Sequence, residues 1–326
     1  MSDVVTFQEA IDATKGEDRA LLVGNGISID YFDYKTLLVE AGLERDSPIQ
    51  ALFEGLDTVD FEAVIRALED AVIVERAYSN DDHAKELEAD AQAVRQALVN
   101  AVNATHPAHR EELSLMYESA ATFLENFKTV FSLNYDLLLY WVNLEKGLLR
   151  DGFGLGEVIE GGCFRGPFNP EAYCDIYNLH GGLHLFQAPD DEVYKAQDTG
   201  NGVIATITHA ITSKKCLPLY VAEGTTKAKS RKIYSSPYLR HCYGKLRDSE
   251  GPVFIFGHSA DQNDAHIYNA IFGNSKIGHV WFGIFRPDEV KKREFDAKLA
   301  AYRIIGGSKV TYSFFDAETA QVWDAQ

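Results

Sequence analysis

Positive charge is scarce in this sequence. Its 326 residues carry 31 Lys and Arg against 49 Asp and Glu, a formal net charge of −18. Binding along a phosphate backbone needs a positive surface that displaces counterions, so nucleic acid is not an expected partner. The same balance opposes electrostatic adhesion to an anionic membrane surface. Long hydrophobic runs are missing too: no stretch approaches the roughly 20 apolar residues of a membrane-spanning helix. Met1 to Lys15 contains Asp3, Glu9 and Asp12 and lacks the basic and apolar segments of a secretory leader. Cysteine is sparse. Cys163, Cys174, Cys216 and Cys242 stand singly, with no C-x-x-C pair, and offer neither a zinc nor a disulfide framework. The expectation is a reduced, cytoplasmic protein without metal, membrane or nucleic acid.

Short apolar runs bounded by glycine or polar turns are plentiful. They are Ala20–Val23, Thr129–Leu133, Ile176–Leu179, Leu217–Val221, Val253–Phe256, Val280–Ile284 and Val310–Phe314. Continuous runs of this length suit strands buried on both faces, as in a parallel sheet covered by helices. The expected class is α/β. Between the first two runs, about residues 34–127, the apolar period changes. Phe61, Val64, Ile65, Leu68 and Val72 recur at helical spacing, as do Leu87, Ala91, Val94, Leu98 and Val102, then Leu113, Met116, Ala120, Leu124 and Phe127. This reads as a large helical insertion after the first strand, within a single domain spanning 1–326. The stretches Gly152 to Gly166 and Pro189 to Gly202 read as loops.

Four motifs follow expected strands. Leu21-Leu22-Val23-Gly24-Asn25-Gly26-Ile27-Ser28 runs from a strand into a G-x-G turn and a helix start. Such a turn can bring backbone N–H groups to a diphosphate, or can use glycine for steric reasons alone. Ile29 stands where a dehydrogenase fingerprint has its third glycine, and no G-K-[ST] ending makes a P-loop. In Val130-Phe131-Ser132-Leu133-Asn134-Tyr135-Asp136, Asn134 and Asp136 can orient a ribose, a water or a carboxamide, or can cap the next helix. In Ile176-Tyr177-Asn178-Leu179-His180-Gly181-Gly182, His180 sits at a strand end as a general base or as a structural histidine, with His184 as its neighbour. Phe254-Ile255-Phe256-Gly257-His258-Ser259-Ala260-Asp261 ends in a Gly/Ser turn before Asp264 and His266. It can bind phosphate or ribose hydroxyls. A nucleophile elbow is the rival, although Asp261 fills its last glycine position.

Taken in order, G-N-G-I-S, S-L-N-Y-D, L-H-G-G and G-H-S with N-D-A-H-I resemble the sirtuin-like NAD-consuming superfamily, in particular the bacterial sirtuin-like domains of anti-phage defence. The resemblance covers about Leu21 to Ile284. It implies a Rossmann-like, mostly parallel sheet flanked by helices. By that resemblance Gly24, Gly26 and Ser28 cradle the NAD pyrophosphate. Asn134 orients the nicotinamide ribose or the attacking water, and Asp136 supports the carboxamide or the loop. His180 is the base acting through a ribose hydroxyl. Gly257 and Ser259 bind the adenosine side, where Asp264 and His266 shape the loop. Asn25 replaces the usual alanine and either adds a hydrogen bond to phosphate or narrows the pocket. Tyr34 stands where family members carry another aromatic residue. The four-cysteine zinc module of protein-deacylating sirtuins has no equivalent, which argues against a histone-type deacylase.

The expected activity is hydrolysis of NAD to nicotinamide and ADP-ribose, with NAD as substrate and no cofactor. Binding of NAD or an ADP-ribose derivative without turnover is the alternative, and a serine hydrolase using Ser259 with a later histidine such as His279 is a third reading. Because unregulated NAD destruction would harm its host, control by homo-oligomerisation, an activating protein partner or closure of the insertion is expected. The basic run Lys227 to Lys232 is read either as a contact for phosphate or a partner, or as a solvated face.

Overall fold

The run Ala20-Leu21-Leu22-Val23 has no polar side chain to present to water. It becomes the centre of a sheet covered on both faces. The computed structural model describes residues 4–28, 40–44, 46–107, 110–154, 163–198, 202–213, 216–221, 225–305 and 307–324. Its main sheet contains β1 (Val5–Thr6), β2 (Ala20–Val23), β3 (Thr129–Ser132), β5 (Ile176–Asn178), β9 (Val253–Phe256), β10 (His279–Ile284) and β11 (Thr311–Asp316). These lie in the order β1-β11-β10-β9-β2-β3-β5, and every pairing is parallel. From β5 to β11 this is the 3-2-1-4-5-6 order of a Rossmann-like sheet, with β1 added at the far edge. The chain leaves β2 towards β3 and returns to its other side at β9, so the crevice between the ends of β2 and β9 is the topological switch point.

Alternation along the strands divides the interior. Leu21, Val23, Val130, Ile176, Phe254 and Phe256 enter one core, whereas Ala20, Leu22, Phe131, Tyr177, Val253 and Ile255 enter the other. Each fully buried leucine or phenylalanine contributes roughly 2 kcal/mol. The first core takes in α1 (Phe7–Ala13), α7 (Val203–Ser213) and the insertion. The helices of the insertion are α2 (Pro48–Gly55), α3 (Phe61–Ala77), α4 (Asp81–Thr105) and α5 (Tyr117–Leu124), the last two joined by a 3-10 turn at Arg110–Leu113. Phe61, Val64, Ile65 and Leu68 of α3 face Ala91, Val94, Leu98 and Val102 of α4. Ser47 and Asp60 cap α2 and α3 by accepting the N–H groups of Gln50 and Glu62. The second core is closed by α9 (Pro237–Arg247), α10 (Ala265–Phe272) and α11 (Glu289–Ile305) through residues such as Leu239, Ile267 and Leu299.

Several expectations change. Leu217–Val221 does not join the parallel sheet. It supplies β8 (Pro218–Tyr220) of a second, antiparallel sheet in the order β4-β7-β6-β8, with β4 (Phe164–Arg165), β6 (Gly181–Gln187) and β7 (Val193–Ala196). β4 and β7 lie inside stretches read as loops. β6 begins on the two glycines that directly follow His180. Gly181 has φ +70°, and a Cβ there would stand 2.1 Å from the Leu219 carbonyl oxygen, so only glycine lets the two strands close up. β1, at the edge, had no run long enough to be read. Tyr34 and Ile29 lie outside the described residues, as do positions 34–39 of the insertion. No described helix is long and apolar enough to cross a membrane, and all four cysteines are free thiols.

Candidate functional site

The four motifs all fall at the C-terminal edge of the parallel sheet, after β2, β3, β5 and β9. Ligands of open α/β sheets bind at this edge. The first and fourth loops touch backbone to backbone. Gly24 N donates to Phe256 O at 2.9 Å and Gly26 N to Gly257 O at 2.6 Å. A Cβ on Gly24 would lie 2.7 Å from Gly257 O, and one on Gly257 (φ +69°) would lie 2.5 Å from Ile27 N. The glycines therefore serve close approach of two loops. Beyond Gly24 the chain makes a 3-10 turn, Asn25–Ile27; the helix expected to follow falls on residues 29–39, outside the described residues. Ile27 N and Ser28 N donate back to Gly24 O and Asn25 O. The N–H groups of Gly24, Gly26, Ile27 and Ser28 are thus all engaged within the protein.

The second loop is clasped to the first. Asn134 Nδ2 donates to Ser28 Oγ at 2.9 Å and to Asp136 Oδ2 at 3.2 Å. Asp136 Oδ1 accepts Leu138 N–H at 2.8 Å, at the start of α6 (Leu138–Lys146). Asp136 therefore both caps the helix and holds Asn134. Ser28, Asn134 and Asp136 are all buried, and Asn134 Oδ1 has no partner among the described residues. A buried acceptor without a donor is a costly arrangement that a ligand hydroxyl or amide would relieve.

Ser132 pairs with Asn178 across β3 and β5, and Asn134 and His180 each lie two positions beyond these paired residues. His180 is 4% exposed and its Nε2 lies 3.4 Å from His266 Nε2 and 3.7 Å from Asp264 Oδ1. Asp264 in turn receives Lys229 Nζ on Oδ1 at 2.9 Å and faces His258 Nε2 across 3.4 Å at Oδ2. Burial drives the His180 pKa well below its ordinary value. Asp264 opposes this, while Lys229, His266 and His258 reinforce it. Burial raises the Asp264 pKa, but the His258 hydrogen bond and the charges of His180 and Lys229 outweigh it and hold the carboxyl well below the carboxylate range. The result is a neutral imidazole beside a fixed carboxylate. Asp264 and His266, expected only to shape an adenosine-side loop, are brought directly against His180.

Among the described residues, His180, Asp264 and His266 also form a cluster with the donor set of a metal site, their ligand atoms lying within 4.8 Å of one another. Lys229 already matches the one carboxylate of that cluster. A divalent ion would share its only anionic ligand with an ammonium, so the cluster fits a metal poorly.

Three participants escaped the sequence reading. Lys229, in α8 (Thr226–Ser235), is 2% exposed, and Lys232 pairs with Glu62 of the insertion, so these two members of the basic run are internal fasteners; Lys227 and Arg231 are exposed. His258 accepts Ala260 N–H on Nδ1 at 2.9 Å, which places its proton on Nε2, towards Asp264. His106, at the end of α4, has Nδ1 2.9 Å from Val102 O and accepts Leu137 N–H on Nε2 at 3.2 Å, tying the insertion to the Asn134 loop. Spacing gives no signal for Lys229 or for the His106–Leu137 bond, whose partners are 35 and 31 positions away; His258 lies within the fourth motif, six positions before Asp264, but its type and spacing do not distinguish it from a turn residue. Trp323 Nε1 likewise donates to Ile27 O from the far end of the chain.

Other residues separate from the site. Ser259 is exposed. His279 begins β10, where the register sets it beside Pro252, at the opposite end of the sheet from Ser259, and it bonds Thr311 Oγ1 at 2.7 Å. That geometry removes the Ser259–His279 pairing. His184 packs on the Tyr140 ring at 4.8 Å, in the second sheet. Asn25 is half-buried at the rim of the first loop.

Residues 21–323 match a family model described as a domain of unknown function, DUF4917. The chain belongs to this family. No curated protein matches it. The matched span of this DUF4917 chain begins within β2 and includes all four strand-end loops and the C-terminal Trp323 contact.

Proposed function

We propose that this DUF4917 protein hydrolyses NAD to nicotinamide and ADP-ribose, in the manner of the sirtuin-like domains its motifs resemble, with bacterial anti-phage defence as the setting that resemblance suggests. The observation that carries the reading is the placement of Asn134 and His180 each two residues beyond the paired ends of neighbouring parallel strands, one presenting a buried acceptor with no partner among the described residues and the other a neutral imidazole. Cleavage of the N-glycosidic bond passes through an oxocarbenium-like state. The site must place a water and take up a proton. Asn134 Oδ1 accepts from a ribose hydroxyl or the water, and His180 serves as base through a ribose hydroxyl. Asp136 holds the Asn134 amide by its Nδ2, so the acceptor end is the one presented. With the loop N–H groups of Gly24, Gly26, Ile27 and Ser28 engaged, the pyrophosphate takes its donors from Ser28 Oγ and the rim at Ser259. Quiescence is set by self-association or by an activating protein partner.

The test is incubation of purified protein with NAD, following nicotinamide and ADP-ribose by chromatography, with Asn134→Ala and His180→Ala in parallel. Release by the wild type, lowered at least about 100-fold in both variants, is the expected result. Stoichiometric NAD binding with no nicotinamide released, under activating conditions, would make the protein a binding module. Neither binding nor release would remove the NAD reading altogether.

A further inference from the structure

Within the proposed site, Asp264 faces three groups brought by three different segments. Lys229 comes from α8, His258 from the loop after β9 and His180 from the end of β5, while His266, at the start of α10, lies against His180. Lys229 Nζ and the His258 Nε2 proton take one carboxylate oxygen each, at 2.9 and 3.4 Å, so the carboxylate cannot rotate freely. His258 is itself immobilised, because Ala260 N and Tyr268 Oη both lie 2.9 Å from its Nδ1. On its remaining side Asp264 Oδ1 faces His180 Nε2, and His266 Nε2 faces the same nitrogen.

A carboxylate oxygen at 3.7 Å and a second imidazole nitrogen at 3.4 Å, which accepts or donates according to its own tautomer, thus converge on one imidazole nitrogen. A neutral histidine carries a single N–H, and the arrangement that satisfies both neighbours puts that proton on Nε2. The lone pair is then on Nδ1, which has no hydrogen-bond partner among the described residues. We propose that Asp264 is the positioning residue of His180, holding it in the Nε2–H tautomer so that Nδ1 is the nitrogen that takes the proton. Lys229 and His258 are the anchors that keep the carboxylate in place. When Nδ1 takes a proton from a ribose hydroxyl, the positive charge created on the ring lies 3.7 Å from a carboxylate that stays ionised. Asp264 does not touch the substrate and does not itself exchange the proton. The kinetic consequence rests on the NAD-hydrolase reading; the tautomer does not.

Nitrogen-15 NMR of histidine-labelled full-length protein at neutral pH reads the tautomer directly, without NAD. The His180 signals are assigned by their loss in His180→Gln. The wild type is expected to show the proton on Nε2. Asp264→Asn removes the carboxylate that meets the buried Lys229 ammonium and so threatens folding; the Asp264→Asn/Lys229→Met double variant removes both charges together. In that variant the tautomers redistribute towards Nδ1–H. Nicotinamide release falls about 10²–10⁴-fold in kcat with little change in KM, and Asp264→Glu recovers part of it. A wild-type His180 protonated on Nδ1, or on both nitrogens, overturns the proposal, as does an unchanged tautomer in the double variant. Loss of the tautomer in a protein that never releases nicotinamide would sustain the positioning role and refute the hydrolase reading.

Discussion

Acidification should destabilise this protein through histidines buried in neutral form, and His184 isolates the effect. Its ring packs on Tyr140 at 4.8 Å, within β6 of the antiparallel sheet. Burial lowers its pKa to about 3, with Lys195 adding to the shift and Asp151 opposing it. The unfolded chain titrates this group near its ordinary pKa of about 6.5. Below that pH the unfolded state binds the proton and the folded state does not, so stability falls as pH drops, from about 6.5 down to about 3. At about pH 5 the gap is roughly 1.5 units, worth about 2 kcal/mol. His266, lowered to about 4 mainly by burial, adds a similar amount over a window ending near that value. His106 and His180 shift in the same direction. Asp264 has the opposite sense: its depressed pKa gives stability that is complete above the unfolded carboxyl value of about 3.9, so it does not contribute to a change at about pH 5. The assay is urea unfolding of the wild type and His184→Gln at about pH 7.5 and about pH 5. Glutamine is uncharged at both, so the stability lost between the two pH values should be about 2 kcal/mol smaller in the variant. Equal losses in the two proteins would show that His184 is not held neutral, and the argument from burial would fail.

The loop contact at the switch point is tested by Gly257→Ala against Gly147→Ala. Both positions have positive φ, but a Cβ on Gly147 meets nothing within 4 Å, whereas one on Gly257 meets Ile27 N at 2.5 Å. Gly147→Ala should cost about 1 kcal/mol and Gly257→Ala about 1–3 kcal/mol more, read from urea midpoints; similar costs would mean that the loops are not in contact. Lys229→Met should cost about 3–5 kcal/mol by leaving Asp264 buried without its ammonium, and Lys232→Met about 1 kcal/mol, because its pair with Glu62 is partly exposed. Equal, small effects would return the whole basic run to the surface.

Much of the fold was legible because its signals are local. A strand buried on both faces must be apolar at every position, and Ala20–Val23 and Val253–Phe256 appear with those bounds. A helix packed on one side must repeat near 3.6, and Phe61, Val64, Ile65, Leu68 and Val72 are all buried. Asn134, His180 and the glycine loops could be read as a site because each ends a strand, and parallel strands bring their ends to one edge.

Pairing across the chain carried no such signal. Leu217–Val221 is as apolar as its counterparts, yet it lies in the antiparallel sheet, because Gly181 turns the chain at His180 and gives it a neighbour there. Lys229 sits in a run of basic residues and looks solvated until Asp264, 35 positions later, is placed against it. The sequence by itself determined the sheet, the helical layer and the residue types at the strand ends, since each follows from local periodicity and turn chemistry. Tertiary structure alone decided that Asp264, His258 and Lys229 surround His180, because the energy of a buried charge depends on which remote groups meet it.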